Sequence, residues 1–166
     1  MDAIEIARQR AEQLHYAAIS RGLDPWKPYA FVVGEANSRS IDVEKCLQGS
    51  DELNGSRAFF DSAYRLITHE DSGSLFEQAF LVAHEIGHVE LGDDTQDEYV
   101  IDIDPARTAE PEPTGIDRVV DYSHRQRREV QMDLFAREFL LPRSAVKKCS
   151  GQQKLATALE FFQNNR

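Results

Sequence analysis

Residues His84-Glu85-Ile86-Gly87-His88 place two imidazoles four positions apart, with a carboxylate directly after the first. On a helix of about 3.6 residues per turn, positions i and i+4 share a face, so both rings can reach one metal ion. H-E-x-x-H is the pattern of a zinc hydrolase helix, in which the glutamate takes a proton from the water that the metal activates. The alternative is polar decoration of a solvated helix. Leu75, Phe76, Ala79, Phe80, Val82, Ala83 and Ile86 oppose it, because they predict a helix that is apolar over most of its circumference and therefore buried. A buried imidazole needs a partner, and a buried carboxylate needs one more urgently. A metal with its water satisfies all three groups.

Other elements must hold this helix in place. Ser74 and Glu77 form a capping box that fixes its start, and Gly92 can end it. Upstream, Ile4, Ala7, Ala11, Leu14 and Ala18 recur at helical spacing and predict a helix from about Ala3 to Ser20, stopped by Gly22. A second short element opens at Asp24-Pro25, with Pro28 near its start and Tyr29, Phe31, Val32 and Val33 as apolar contacts, and its pattern does not separate helix from strand. Ile41–Glu44, Arg57–Phe60 and Tyr64–Thr68 read as three short strands, with Asn54-Gly55 as a turn signal between the first two. The economical arrangement is an α+β fold, a small antiparallel three-stranded sheet packed on helices with a zincin-like active-site helix.

Residues 93–123 hold ten acidic and two basic residues together with three prolines, and read as a long acidic loop inserted in a single domain spanning 1–166. A strand near Tyr99 to Ile103 and a role as a lid over the metal are both open; an ordinary solvated insertion is the plainer reading. Ser123 and Gln126 form a second capping box for a helix that Pro142 ends, with Val130, Leu134, Phe135 and Leu141 on its buried side. A last amphipathic helix is expected over roughly Gln152 to Phe162.

A catalytic zinc site usually has three protein ligands and a water. The best candidate for the third is Glu129, with Asp133 four residues later on the same helix face. There the aspartate can accept a hydrogen bond from a ligand imidazole, fixing its tautomer and raising its basicity. Glu90, Asp93, Asp94 and His124 remain as alternatives on spacing alone. Tyr99, Tyr122 and His124 are the nearest candidates in sequence to stabilise a tetrahedral oxyanion.

The segment Glu129-Val130-Gln131-Met132-Asp133-Leu134-Phe135-Ala136, continuing to Phe139-Leu140-Leu141-Pro142, resembles the second motif of the ImmA/IrrE metallopeptidases, E-x-x-A-N-x-F-A-x-x-L-L-x-P. Ala83 to His88 followed by Leu91-Gly92 is similar to the first motif, and the resemblance covers roughly residues 3–145. It implies His84, His88 and Glu129 as zinc ligands, Glu85 as catalytic base, and cleavage of a DNA-binding repressor with a helix-turn-helix, in a stress, mobile-element or phage-defence response. Three departures stand out. Asp133 replaces the usual Asn and preserves the hydrogen-bonding role. Met132 replaces a usual Ala and bears on packing. The acidic stretch between the motifs is longer than is typical, and the C-terminal part is short. A non-hydrolytic, zinc-stabilised interaction module, or a regulatory domain of a larger nucleic-acid-processing system, is the competing expectation.

Composition is compatible with these readings. The net charge of −10 disfavours non-specific nucleic-acid binding and suits a basic protein partner. The compact basic run His124-Arg125-Gln126-Arg127-Arg128 sits at a helix N-terminus, where it opposes the helix dipole, and contact with the acidic loop is the plain explanation for it. No apolar run spans a bilayer, no membrane role is expected, and the first residues lack signal-peptide character, so the cytoplasm is the default location. Cys46 and Cys149 form no C-x-x-C pair, and buried free thiols are expected.

Overall fold

The computed structural model describes residues 3–53, 55–92 and 124–148, with backbone only for 124–126 and 148. The elements run α1 (Ala3–Ser20), α2 (Pro28–Ser38), β1 (Asp42–Cys46), a 3₁₀ turn (Asp51–Leu53), β2 (Ala58–Asp61), β3 (Leu66–Glu70), α3 (Leu75–Leu91), α4 (His124–Leu140) and α5 (Arg143–Lys148). The fold class is α+β, as expected. The expected strand near Tyr99 and the helix over 152–162 lie outside the described residues.

α1 buries Ala7, Ala11, Leu14 and Ala18 of the predicted stripe, leaves Ile4 only partly covered, and stops where Gly22 takes φ +90°. The ambiguous second element is a helix. Pro28 occupies its first turn, where a missing N–H costs nothing and the fixed φ is already helical. Phe31, Val32 and Ala36 then face the core.

The sheet corrects one expectation. Its order is β1-β3-β2; β3 pairs antiparallel with β2, Ile67 opposite Phe60, but parallel with β1, Ile67 opposite Val43. The sheet is mixed because the connection from β1 to β2, which includes the 3₁₀ turn, carries the chain past one strand's width. That leaves room for β3 in the middle. The Asn54-Gly55 signal falls in this connection, with Gly55 at φ +80°. The tight hairpin is instead β2 to β3, where Asp61 Oδ1 accepts from the backbone N–H groups of Ala63 (2.9 Å) and Tyr64 (3.1 Å). That is an aspartate-side-chain turn, which a search for Asn-Gly pairs overlooks.

Two helix faces also differ from expectation. Leu75 and Phe76 are exposed, so α3 buries one side only, through Ala79, Val82, Ala83, Ile86 and Gly87. On α4 the buried face is Met132, Phe135, Ala136, Phe139 and Leu140, while Val130 and Leu141 are exposed. The core forms where α1, α2, α3, α4 and the sheet meet, with the Phe31 and Phe139 rings stacked at 5.2 Å. Pro142 ends α4 as predicted, and α5 follows at once. Its first N–H, from Arg143, donates to Glu138 Oε1 at 2.8 Å. No helix among the described residues is long and apolar enough to cross a membrane. Cys46 is a free thiol, half-buried rather than buried, and Cys149 lies outside the described residues.

Two histidines belong to this scaffold. His15 Nδ1–H donates to the Phe139 carbonyl at 2.6 Å, tying α1 to α4. His69 Nδ1–H donates to the Glu70 carbonyl at 2.9 Å, and its Nε2 accepts from the Tyr29 hydroxyl at 2.9 Å. Burial lowers the pKa of both rings, so the fold holds them neutral. The unfolded chain therefore binds more protons than the folded one once pH drops below about 6.5, and stability falls with pH from there. Each ring can contribute a slope of up to about 1.4 kcal/mol per pH unit. Urea unfolding in chelator at pH 7.5, 6.5 and 5.5 should show this loss, and equal stability at all three values would contradict it.

Candidate metal centre

The capping box assigned to α3 is present. Glu77 N–H donates to Ser74 Oγ at 3.2 Å, and Ser74 N–H donates to Glu77 Oε2 at 2.6 Å. Gly92 ends the helix at φ +71°. With both ends fixed, His84 and His88 emerge one turn apart toward α4, their Nε2 atoms 3.2 Å from each other. α4 brings Glu129 to the same point, with Oε2 at 3.3 Å from His84 Nε2 and Oε1 at 4.0 Å from His88 Nε2. Asp133, one turn further on, accepts from His84 Nδ1–H at 2.9 Å. The imidazoles are mostly covered while the two carboxylates are about half exposed, so the cluster opens to solvent on one side.

This donor set fits a metal ion on its own chemistry. With Nδ1 paired to Asp133, His84 turns Nε2 toward a second imidazole and a carboxylate. A cation among these three groups would satisfy all of them at once; a proton shared between the imidazoles would satisfy that pair, and the metal is the choice that uses all three. Bonds of about 2.0–2.1 Å in tetrahedral geometry put neighbouring donors about 3.3 Å apart, close to the 3.2 and 3.3 Å separations that involve His84, while the 4.0 Å from His88 to Glu129 is longer. One ligand atom from each of His84, His88 and Glu129 lies within 4.8 Å of the others.

The helix pair approaches closely enough because of a glycine. A Cβ on Gly87 would lie 3.0 Å from Phe135 Cδ1 and 3.1 Å from Met132 Sδ. Met132, one of the departures from the second motif, thus packs against the glycine that lies between the two histidines of the first motif. Gly87→Leu should cost about 1–3 kcal/mol from overpacking and push Glu129 away from the histidines. Gly87→Ala gains helix propensity against two tight contacts, of which the flexible Met132 thioether can give and the buried Phe135 ring must shift by a few tenths of an ångström, and should change stability by less than about 1 kcal/mol. Urea unfolding with metal analysis checks both. A Gly87→Leu chain with native stability and metal content would mean the contact does not set the spacing.

Glu85 lies half-buried on α3 between the two histidines in sequence. Of the alternative third ligands, Glu90 is excluded, because its carboxylate is held by Arg10 and Arg39. Asp93, Asp94, Tyr99 and Tyr122, and the side chain of His124, lie outside the described residues. The basic run acquires a partner that the sequence did not suggest. Arg128 Nη2 lies 3.4 Å from the Leu91 carbonyl, placing a cation at the negative end of α3. Its contact with the acidic stretch falls outside the described residues.

Residues 39–162 match the family model of the IrrE N-terminal-like domain, Peptidase_M78. The chain belongs to this family. The match begins later than the expected resemblance over 3–145, leaving α1 and α2 ahead of it, and it extends further toward the C-terminus. No curated protein matches the chain. Membership in Peptidase_M78 gives a metallopeptidase type of function, and the His/Glu cluster supplies a candidate for its metal.

Proposed function

We propose that the protein is a zinc-dependent endopeptidase of the cytoplasm that cleaves a helix-turn-helix repressor, or a similar regulator, in a stress, mobile-element or phage-defence response. The observation that carries this reading is the meeting of His84, His88 and Glu129, with Glu85 next to the first of them. His84, His88 and Glu129 would hold the ion, and two nitrogens with one carboxylate oxygen suit zinc. When bound, the ion supplies Lewis-acid polarisation of a peptide carbonyl and a water acidic enough to ionise near neutral pH. Asp133 keeps the His84 ring in the tautomer that turns Nε2 toward the site. Glu85 accepts the proton that the attacking water gives up and returns it to the leaving amine. The net charge of −10 favours encounter with a basic DNA-binding protein.

Purified chain incubated with helix-turn-helix repressors should generate new peptide termini. A chelator should abolish the cleavage, and added zinc should restore it. Stable association with a repressor and no cleavage at any zinc concentration would favour the non-hydrolytic interaction module instead.

A further inference from the structure

We infer that Glu90 is a positioning residue for this centre. Clamped by Arg10 of α1 and by Arg39, the residue that caps the end of α2, it holds the last turn of α3 so that His88 stays opposite Glu129. The inference rests on the reading of His84, His88 and Glu129 as metal ligands.

The turn that carries His88 is poorly supported by its own sequence. Gly87 precedes it, and glycine is the weakest helix former short of proline. Gly92 ends the helix directly after it. Something outside the helix must fix the turn, and Glu90 is placed to do so. Residues two apart on a helix lie about 200° apart around its axis. His88 faces α4, and Glu90 reaches the opposite way, toward α1 and α2. Its side chain is only 5% exposed, and its two oxygens are taken by different helices: Oε1 by Arg10 Nε, Oε2 by Arg39 Nη1. Arg39 is anchored in turn, with Nε donating to Glu35 Oε1 at 2.8 Å, and Arg21 holds the other Glu35 oxygen. Rotation of the last turn of α3 would pull a buried carboxylate off both guanidiniums and leave charges unpaired. Arg10 precedes the family match, so α1 contributes to the site through a residue outside the family pattern.

A network that merely ties three helices together would affect stability alone. Zinc affinity by chelator competition, the cobalt(II) absorption spectrum, and urea unfolding in chelator therefore decide the matter on the full chain. Glu90→Gln and Arg10→Gln should each weaken zinc binding about tenfold or more, the scale for groups that orient ligands, and alter the cobalt spectrum. Arg57→Gln, which removes the cationic partner of the buried Glu70 carboxylate on the sheet and touches nothing in the Glu90 network, should lower metal-free stability and leave zinc affinity native. Native affinity in Glu90→Gln, or losses that track metal-free stability in all three variants, would overturn the inference. If Glu90→Gln does not fold, Arg10→Gln carries the same comparison. A native chain that binds neither zinc nor cobalt would instead overturn the metal reading itself.

Discussion

Glu85→Gln should bind metal as the native chain does, unfold at the same urea concentration, and turn over its substrate at least about 100-fold more slowly, the scale of losing a general base. The substitution keeps the shape and the hydrogen-bonding oxygen of the side chain but removes the site that takes a proton. The group placed to hold a metal among the described residues is His84, His88 and Glu129, so exchanging Glu85 leaves that set complete. The comparison also separates an enzyme from a binding module. A module needs no base, and native and variant chains would then behave alike in every assay. Undiminished cleavage by Glu85→Gln would assign the proton transfer to another group. Loss of metal along with activity would show that Glu85 has a structural part in the centre.

Much of the candidate site was legible in the sequence because it depends on helical periodicity, which is a local property. Four-residue spacing set His84 beside His88 and Glu129 beside Asp133. A capping box and a glycine bounded the first of these helices as the structure bounds it. The misplaced features depend on contacts between distant segments. Val130 and Leu141 are exposed because the buried stripe of α4 is set by Met132, Phe135, Ala136 and Phe139. That stripe turns Glu129 and Asp133 toward α3, as their shared face predicted, although two of the residues expected to bury beside them do not. The parallel pairing of β1 with β3 likewise follows from where a connection takes the chain, and strand-by-strand alternation does not encode it. Glu90 shows the same limit. Its residue type and closeness to His88 made it a candidate ligand, yet the arginines that occupy it lie on α1 and at the end of α2. A histidine such as His15 carries no mark that distinguishes it from a ligand until the Phe139 carbonyl is seen beside it.

Glu129→Ala should abolish stoichiometric metal binding, and with it all metal-dependent turnover. Native chain purified with zinc available should carry about one ion by mass spectrometry, as three protein donors and a water predict. With Glu129 removed, two neutral imidazoles remain, and the carboxylate that balances the ion's charge is gone. Among the described residues Asp133 is a possible replacement, but its Oδ1 is paired with the Nδ1 of His84, the ring nitrogen that does not face the cluster. Asp133 therefore predicts a graded contrast. Asp133→Asn keeps an oxygen that accepts from His84 Nδ1–H and should hold zinc almost as the native chain does. Asp133→Ala leaves that ring free to change tautomer and should weaken binding about 10–100-fold, the usual effect of removing a group that orients a ligand. Affinities measured by chelator competition should fall in the order native, Asp133→Asn, Asp133→Ala, Glu129→Ala. A Glu129→Ala chain that still holds one tight zinc would move the third ligand elsewhere, and an Asp133→Ala chain weaker than Glu129→Ala would exchange the roles given to the two carboxylates. A charged ligand and a neutralisable hydrogen-bond acceptor one helical turn apart make different electrostatic contributions, and only that difference produces this ordering.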